Sequence, residues 1–307
     1  MISFFYKLTI PRFVSNDNPI YLLINMLVLA EHHIISRICE FFVKYFYSDC
    51  SYGLNNYEVR DKKIIVSFTT IPERVFAIPL MLKSIINQSM KPDKIILWIT
   101  DEIDDRNGLE TFLKGMMDCG LEIRYVKDIR VHTKYYYAMQ EYPDDLIITV
   151  DDDTLYRESL IEDLYKEHLK YPGSVVCDRS HEITYYNKEV KPYNKWRKLA
   201  PGTDNRHKNL LATGAGGVLY PPGCLYKDWK DINLFLKLCP QQDDIWLNVM
   251  EKLAGTTIVK LKKFTREVFI IKSAQRVALS RANVEEGKND IQLRNCIDYY
   301  GFENIYR

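Results

Sequence analysis

Residues 146–156 read LIITVDDDTLY, so strand-favouring residues run directly into Asp151, Asp152 and Asp153. Adjacent carboxylates repel one another, and burial raises the cost because it penalises the charged form. Three of them at the end of a buried strand therefore require either a compensating cation or a fully solvated turn. The sequence on both sides of this stretch bears on which of the two applies.

Short β-rich runs alternate with helical patterns around the three acids. Strands are predicted at KKIIVSF, KPDKIILWIT, LEIRYV and LIITV, and the intervening apolar residues recur at helical spacing. This alternation indicates an α/β fold with a mostly parallel central sheet flanked by helices. Ligands of open parallel sheets bind beyond the carboxyl ends of the strands. The candidate loops at that edge are residues 69–74, 100–105 and 151–153.

The chain after the acids continues the pattern. A helix is predicted over residues 159–170, followed by a strand at SVVCD and a long polar loop or lid over residues 185–209. LLATGAGGVLYPPG is predicted to be one strand interrupted by glycines. PQQDDIWLNVMEKLAGT is predicted to be an acid-capped helix that stops at Gly255, and a last helix is predicted over residues 290–300.

Composition and charge narrow the class of protein. The chain has 307 residues, 47% of them hydrophobic, which is enough for a sizeable core. Its 42 basic and 41 acidic residues leave a formal charge of +1, so there is no basic excess of the kind that binds nucleic acid. The seven cysteines are scattered without metal-ligand spacing, and residues 1–12 lack a signal-peptide pattern. These features predict a cytoplasmic protein with reduced thiols and a small or neutral partner.

The first 60 residues form a separate region of apolar helical texture. Residues 20–30 are apolar, but Glu31, His32 and His33 interrupt them before the roughly 20 residues needed to span a bilayer. Residues 34–47 form a second apolar run with charges near one helical face. The pattern predicts a helical hairpin packed on the main domain, and the alternative is docking on a membrane surface.

Carboxylates at positions i and i+2 after a strand can converge on one hard divalent cation, which prefers oxygen ligands and bridges phosphate oxygens. The alternative is that Asp153 caps the next helix while its neighbours are solvated. The position of the acids, directly after an apolar strand at the ligand edge of a parallel sheet, favours the metal.

Two further motifs lie downstream. Gly214, Gly216 and Gly217 indicate either a close approach of the backbone to a ligand or a tight bend. Asp243 and Asp244 begin a helix, where capping explains one acid and a general base is the alternative for the other. Arg179 and His181 either face the same cleft or lie on a solvated strand, and His181 is not assigned as the base.

Five segments extend over about residues 63–255 in the order IVSFTTIPERV, INQSMKPDKIILWI, YPDDLIITVDDD, TGAGGVLYPPG and PQQDDIWLNVM. Together they resemble bacterial nucleotide-sugar glycosyltransferases of the GT-A (nucleotide-diphospho-sugar transferase) fold, found in surface polysaccharide assembly. The order of DDD, a Gly-Ala-Gly cluster and Asp-Asp before a helix also resembles fringe-type inverting transferases. The resemblance implies a catalytic domain over residues 61–270. An N-terminal helical extension would occupy residues 1–60, and a C-terminal tail with a packed helix would occupy residues 271–307.

The resemblance also implies residues that hold the donor. The loop after the first strand would bind the nucleotide, the acid after the second strand would contact the base, and a lysine before the fourth strand would approach the diphosphate or sugar. Asp152 lies within the same donor site, and the glycine cluster would line the sugar and acceptor pocket. The remaining donor-site positions are Thr69, Thr70, Pro72, Arg74, Asp101, Lys134, Gly216 and Gly217.

For the chemistry, the resemblance implies that Asp151 and Asp153 form a DxD pair holding Mn²⁺ or Mg²⁺, with Asp153 as the direct ligand. Asp244 or Asp243 would be the general base. No histidine follows His207, so the metal shell beyond the acids is not identified. The QxxRW motif of processive synthases is absent after DDIW, which favours a single addition per acceptor.

The expected reaction is inverting transfer of a sugar from a nucleotide diphosphate, with UDP favoured, to a glycan hydroxyl in capsule or lipopolysaccharide assembly. The acceptor would be an oligosaccharide or a lipid-linked glycan, and the enzyme would be cytoplasmic or peripheral on the inner face of the cell membrane. One alternative is a haloacid dehalogenase-like phosphatase, although that class carries DxD on its first strand and a Thr or Val where Leu155 stands. Another is a non-catalytic sugar-binding protein on the same fold.

Overall fold

A computed structural model describes residues 1–10, 19–47, 52–199, 206–207, 209–262, 267–274 and 287–306. Within these residues a central sheet runs in the order β10-β13-β6-β12-β4-β1-β2-β3. Three small two-stranded sheets flank it, formed by β5 with β14, β7 with β11, and β8 with β9. The strands are β1 (Ile64–Thr69), β2 (Lys94–Thr100), β3 (Leu121–Val126), β4 (Leu146–Thr149), β5 (Thr154–Leu155), β6 (Val175–Cys177), β7 (Ser180–Glu182), β8 (Tyr185–Tyr186), β9 (Glu189–Val190), β10 (Arg206–His207), β11 (Leu210–Ala212), β12 (Val218–Tyr220), β13 (Ile258–Lys260) and β14 (Phe269–Ile270).

Helices cover both faces of the central sheet, with short 3₁₀ turns between them. The predicted helices before and after the three acids are present, and the helix predicted over residues 290–300 is present as Lys288–Tyr300. The helices are α1 (Ile2–Leu8), α2 (Pro19–Phe46), α3 (Ile78–Ile86), α4 (Arg106–Asp118), α5 (Thr133–Glu141), α6 (Leu160–Lys170), α7 (Ile232–Leu238), α8 (Asp243–Ala254), α9 (Lys288–Tyr300) and α10 (Phe302–Ile305).

Most neighbouring strands of the central sheet are parallel. Strand β1 pairs in parallel with β2 and β4, β2 with β3, and β6 with β13. Strand β12 is antiparallel to both of its neighbours, with Val218 opposite Thr149 of β4 and Cys177 of β6. The predicted α/β class with a mostly parallel central sheet is therefore confirmed.

The reversed direction of β12 determines where the glycine motif lies. Because β12 is antiparallel, its first residue lies at the edge where β4 and β6 end, and the preceding turn Gly214–Gly216 is brought to the same edge as Asp151. The prediction of one strand interrupted by glycines is wrong. Strand β11 pairs with β7 in a separate sheet, and Gly217, with a φ of 85°, makes the change of direction before β12.

Burial of the sheet on both faces explains its continuous hydrophobic strands. Ile64 and Phe68 of β1 belong to the core on the face that packs with Met81 of α3. The alternate residues, such as Ile65, pack with Ala138 of α5 on the other face. Parallel strands covered on both faces carry apolar residues at successive positions, as β1, β2 and β4 do.

The N-terminal region is a single long helix after the short α1, so the predicted hairpin is wrong. Helix α2 has 28 residues and continues through Glu31, His32 and His33. Neither glutamate nor histidine breaks a helix, so these three polar residues interrupt the apolar run without ending the helix. His32 Nε2 donates a hydrogen bond to Val268 O at 3.2 Å, on the side that faces the main domain.

Cys39 and Val43 of α2 join the main core, so the helix packs directly on the domain. Among the described helices, none combines the length and apolarity needed to cross a bilayer. The six described cysteines are all buried. Part of the predicted lid, residues 200–205 and 208, lies outside the described residues, and the rest of it carries β8, β9 and the 3₁₀ turn Tyr193–Lys195.

Candidate functional site

The aspartate triplet leaves the carboxyl end of β4 in a turn that is fixed by local hydrogen bonds. Asp151 N donates to Tyr156 Oη at 2.7 Å, and the Tyr156 ring is buried. Asp153 O accepts from Ile271 N at 2.7 Å, next to the pairing of β5 with β14. These backbone contacts hold the three acids at the predicted ligand edge of the sheet.

Arg74 supplies the first compensating charge. It lies in the 3₁₀ turn Pro72–Ala77 after β1, and its Nη2 is 2.7 Å from Asp152 Oδ1 and 2.6 Å from Asp153 Oδ2. Thr70 Oγ1 also donates to Asp152 Oδ2 at 2.6 Å. Burial raises the pKa of Asp152 to about 6, although the Arg74 charge opposes that rise. The loop after β1 thus meets the acids from the neighbouring strand.

Lys134 supplies the second compensating charge and joins two parts of the site. Its Nζ lies 2.8 Å from Asp151 Oδ1 and 2.8 Å from Asp243 Oδ2, and the side chain is buried. Burial alone would lower the pKa of Lys134, but the charges of Asp151, Asp243 and Asp244 outweigh it and raise that pKa well above its ordinary value. The ammonium group therefore stays protonated and bridges β4 to α8.

The position of Lys134 is set by its backbone. Ser67 Oγ of β1 donates to Lys134 O, and Trp98 Nε1 of β2 donates to Ser67 Oγ at 2.9 Å. Two residues earlier, the buried His132 ring contacts Cys239 O at 2.7 Å, which ties the start of α5 to the segment before α8. These contacts fix the position of α5 relative to the sheet and to the segment before α8.

Asp243 and Asp244 occupy the first turn of α8 and differ in their surroundings. Asp243 is buried and paired with Lys134, whereas Asp244 is more exposed and its Oδ1 accepts from Gly214 N at 3.0 Å. Burial, followed by the charge of Asp243, raises the pKa of Asp244 to about 7, while Lys134 opposes the rise. Asp244 is therefore partly exposed and has a pKa near neutral pH, two properties that suit a general base.

The three motif glycines have different roles in the packing. A Cβ on Gly214 would lie 2.7 Å from Lys134 Nζ and 3.0 Å from Asp151 Oδ1, so this residue forms one wall of the site. A Cβ on Gly216 would lie 2.4 Å from Arg179 Cβ, and one on Gly217 would lie 2.9 Å from Leu160 Cδ2. The expectation that Gly216 and Gly217 line the sugar pocket stays a prediction. Gly214 was noted in the motif but not proposed as a site residue.

We expect Gly214→Ala to disturb the site more than the fold. The added methyl group meets the side-chain ends of Lys134 and Asp151 rather than backbone, so the cost to the free energy of unfolding should be on the order of 1 kcal/mol. Ligand binding at this edge should fall clearly because the Lys134 bridge shifts. Chemical denaturation and ligand titration on the same samples measure the two effects.

Gly115→Ala in α4 is the matched control, since a Cβ there meets nothing within 4 Å. Alanine is favoured over glycine in a helix by about 1 kcal/mol, so this variant should be at least as stable as the parent with unchanged binding. Unchanged ligand binding by the Gly214→Ala variant would contradict its place in the site.

Arg179 is a further basic residue at this edge, after the end of β6. Its Nη1 donates to Thr213 Oγ1 at 3.0 Å, and its Nη2 lies 3.2 Å from Glu267 Oε2. Thr213 directly precedes Gly214, whose N–H donates to Asp244. His181 is buried, and Leu199 N donates to its Nδ1 at 3.2 Å, so this ring is occupied in packing.

The remaining predicted nucleotide residues lie at the end of β1 and on the loops after β1 and β2. Thr69 Oγ1 donates to Trp98 O at 2.8 Å, which joins the ends of the two strands. Pro72 begins the 3₁₀ turn that carries Arg74. Asp101 is exposed after β2, and its carbonyl accepts from Arg106 Nη2 at 2.6 Å. The structure brings Thr70 and Arg74 to the acids, while Asp101 lies on the next loop of the same edge.

The carboxylates at this edge supply some of the oxygen ligands that a divalent cation needs. The triplet with Asp243 and Asp244 contributes five carboxylates, against which Arg74 and Lys134 are paired, so negative charge is in excess. The side chains of Asp151 and Asp153 are 29% and 19% exposed, so a small cation can reach both. Burial raises the pKa of Asp153, and the nearby charge of Asp151 raises it further, which a cation between them would reverse.

The part of the chain that the structure describes contains no cluster of three or more His, Cys, Asp or Glu side chains arranged to hold a metal ion. A cation at Asp151 and Asp153 would therefore need oxygen ligands from a bound phosphate and from water, as Mg²⁺ usually has in proteins. The site fits a metal that arrives with a phosphorylated ligand better than a metal held permanently by the protein.

No family model and no curated protein matches this chain. Among solved structures it is similar to a mannosyltransferase from Pyrobaculum calidifontis in complex with GDP-Man and Mn²⁺, with 12% identity and a TM-score of 0.42 over 76% of this chain. It is also similar to GalNAc-T7 with UDP, GalNAc and Mn²⁺, with 12% identity and a TM-score of 0.42 over 68% of this chain. The matches span 64% and 45% of those two chains. Similarities this distant do not establish an activity for this chain.

Proposed function

We propose that this protein is a GT-A glycosyltransferase of the hexosyltransferase type, which moves a sugar from a nucleotide diphosphate to a glycan hydroxyl with inversion. The observation that carries the proposal is the convergence of the Asp151–Asp153 carboxylates, Arg74, Lys134 and Asp244 at the carboxyl edge of the sheet. This edge offers cations and carboxylates for a diphosphate with its metal, and a carboxylate near them for proton removal.

Asp151 and Asp153 would hold Mn²⁺ or Mg²⁺ when the donor is bound. The metal would supply charge neutralisation for the departing diphosphate, an effect worth several kcal/mol in transition-state stabilisation. Lys134 and Arg74 would orient the phosphates, because each already lies within 2.8 Å of a triplet carboxylate. Thr70, Pro72 and Asp152 would support this arrangement, and Thr69 and Asp101 would contact the nucleotide from the neighbouring loops.

Asp244 is the better candidate for the base than Asp243. Asp243 is buried and its Oδ2 lies 2.8 Å from Lys134 Nζ, so its charge is already used to hold that ammonium group. Asp244 is more exposed, and its contact with Gly214 N orients Oδ1. The other oxygen of Asp244 would accept the proton of the acceptor hydroxyl as the sugar transfers. Gly216 and Gly217 would shape the nearby acceptor pocket.

The proposed base predicts a defined pH dependence. Because the pKa of Asp244 is raised to about 7, the deprotonated and active form is gained as the pH rises through that value. We therefore expect kcat/KM to increase across roughly pH 6 to 8 and then to level off. A pH–rate profile with saturating metal measures this, and a profile that is flat across the range would contradict Asp244 as a base of raised pKa.

The donor, acceptor and location complete the proposal. We favour a UDP-sugar as donor, an oligosaccharide or a lipid-linked glycan as acceptor, and a role in capsule or lipopolysaccharide assembly in the cytoplasm or on the inner face of the cell membrane. Residues 61–270 would be the catalytic domain, with the N-terminal helices and the C-terminal tail packed on it. These assignments rest on the sequence resemblance.

A screen of nucleoside diphosphates with and without Mn²⁺ tests the proposal. A ligand that binds only the folded state raises thermal stability, by about 2.7 kcal/mol at one hundred times its Kd. Metal-dependent stabilisation by one nucleoside diphosphate, followed by sugar transfer to a glycan panel, supports the proposal. Hydrolysis of simple phosphate esters without sugar transfer would indicate a phosphatase, and binding without turnover would indicate a sugar-binding protein.

A further inference from the structure

Helix α2 exposes a continuous apolar stripe on the side that faces away from the domain. The large members of the stripe are between 43% and 64% exposed. They recur at intervals of three and four along the helix, which places them on one face. The stripe consists of Leu23, Leu27, Ala30, Ile34, Ile38, Phe41 and Tyr45.

The opposite side of α2 is already used for packing. Val28, Cys39 and Val43 are buried, and at about 100° per residue they lie across the helix from the stripe. At 1.5 Å per residue the stripe is about 33 Å long. An uninterrupted apolar surface of that length is unusual on a soluble monomer and marks an interaction site.

Helix α1 enlarges the apolar surface. Its Phe5 ring lies 5.4 Å from the Phe42 ring of α2, so the two helices pack together. On the exposed side of this pair, Phe4 is 60% and Leu8 is 49% exposed. The apolar surface is therefore wider than the narrow seam of a two-stranded coiled coil.

Basic side chains lie along one border of the stripe. Arg37 and Lys44 project on one side of it, and Lys7 of α1 is also exposed. Arg37 is paired with Glu40, which also accepts from Lys272 N at 3.3 Å, so the two side chains largely cancel in charge. Glu31 accepts from Ile10 N at 3.4 Å. The side chains available to acidic groups of a partner are therefore those of Lys7 and Lys44, which are both exposed.

We propose that the stripe of α2, together with the exposed side of α1, binds the surface of an anionic lipid bilayer. Apolar and aromatic side chains would enter the boundary between headgroups and acyl chains, and Lys7 and Lys44 would contact the acidic headgroups. Phe41 and Tyr45 have the aromatic character that is enriched at this boundary. The binding requires neither nucleotide nor acceptor, so its outcome is separate from that of the proposed reaction.

Co-sedimentation of the full chain with vesicles tests the proposal. We expect binding to vesicles of phosphatidylcholine mixed with phosphatidylglycerol and weaker binding to phosphatidylcholine alone. Phe41→Glu should lower the partition coefficient by about tenfold or more, because it loses the burial of one aromatic side chain and adds a charge. Lys44→Gln should lower it by about fivefold, and only on the anionic vesicles.

Phe112→Glu is the matched control, because Phe112 on α4 is 53% exposed and Phe41 is 54% exposed. This variant should bind vesicles as the parent does, and circular dichroism should show that both glutamate variants are folded. Equal binding by the Phe41→Glu and Phe112→Glu variants, or no binding by the parent, would overturn the proposal. A parent dimer that Phe41→Glu converts to a monomer would assign the stripe to a second copy instead.

Discussion

Replacing Asp244 by asparagine should reduce sugar transfer by roughly a hundred- to ten-thousandfold, the usual contribution of a general base, while donor binding is retained. The amide oxygen can still accept from Gly214 N, as Asp244 Oδ1 does at 3.0 Å, so the fold and the wall of the site are kept. Steady-state kinetics give the loss in kcat, and titration with the nucleoside diphosphate gives the unchanged Kd.

Asp298→Asn on the exposed side of α9 is the control for loss of an aspartate charge, and it should transfer as the parent does. Asp243→Asn is the informative comparison. It breaks the 2.8 Å pair with Lys134 and should weaken donor binding through the displaced ammonium group. If Asp243→Asn abolished transfer with donor binding intact, and Asp244→Asn did not, the base assignment would be reversed.

Asp153→Ala should abolish metal-dependent donor binding, because it removes the carboxylate proposed as the direct metal ligand. The variant should still fold. Arg74 keeps its 2.7 Å partner Asp152, and one member of a repelling carboxylate cluster is lost. Thermal denaturation with and without Mn²⁺ and nucleotide measures both properties on one sample.

Asp104→Ala is the matched control for Asp153→Ala, because Asp104 is an exposed aspartate in the loop after β2 at the same edge. It should keep metal-dependent stabilisation by the nucleotide. Full metal-dependent stabilisation of the Asp153→Ala variant would remove Asp153 from the metal site and leave the role of the triplet unexplained.

The ends of the strands could be predicted from the sequence because they depend on local patterns. Apolar runs such as LIITV end where charged residues begin, and the parallel alternation of strand and helix then places Asp151, Thr70 and Asp101 on one edge. The first turn of α8 was likewise marked by two acids before an amphipathic pattern. These predictions needed no knowledge of which distant residues touch.

The pairing of charges could not be predicted, because it depends on contacts between distant segments. The sequence suggested that a metal ion compensates the triplet, whereas the structure shows Arg74 on Asp152 and Asp153, and Lys134 between Asp151 and Asp243. The cost of burying the acids is therefore offset first by the protein's own cations. A metal would add to this arrangement when the donor brings further negative charge.

Two local patterns had more than one structural solution. The apolar run interrupted at Glu31 is compatible with a helical hairpin or with one continuous helix. In the structure it is one continuous helix, α2, which packs on the domain. The glycine motif suits one kinked strand or two strands, and pairing with β4 and β6 selects the second. That same pairing puts Gly214, rather than its neighbours, against Lys134.

Calorimetric titration of the parent protein with UDP, in the presence and absence of Mn²⁺, tests most directly whether the aspartate triplet is a donor site. We expect saturable binding with Mn²⁺, much weaker binding without it, and loss of the metal-dependent part in the Asp153→Ala variant. Binding of UDP that is equally strong with and without the metal, and equally strong in that variant, would contradict the assignment.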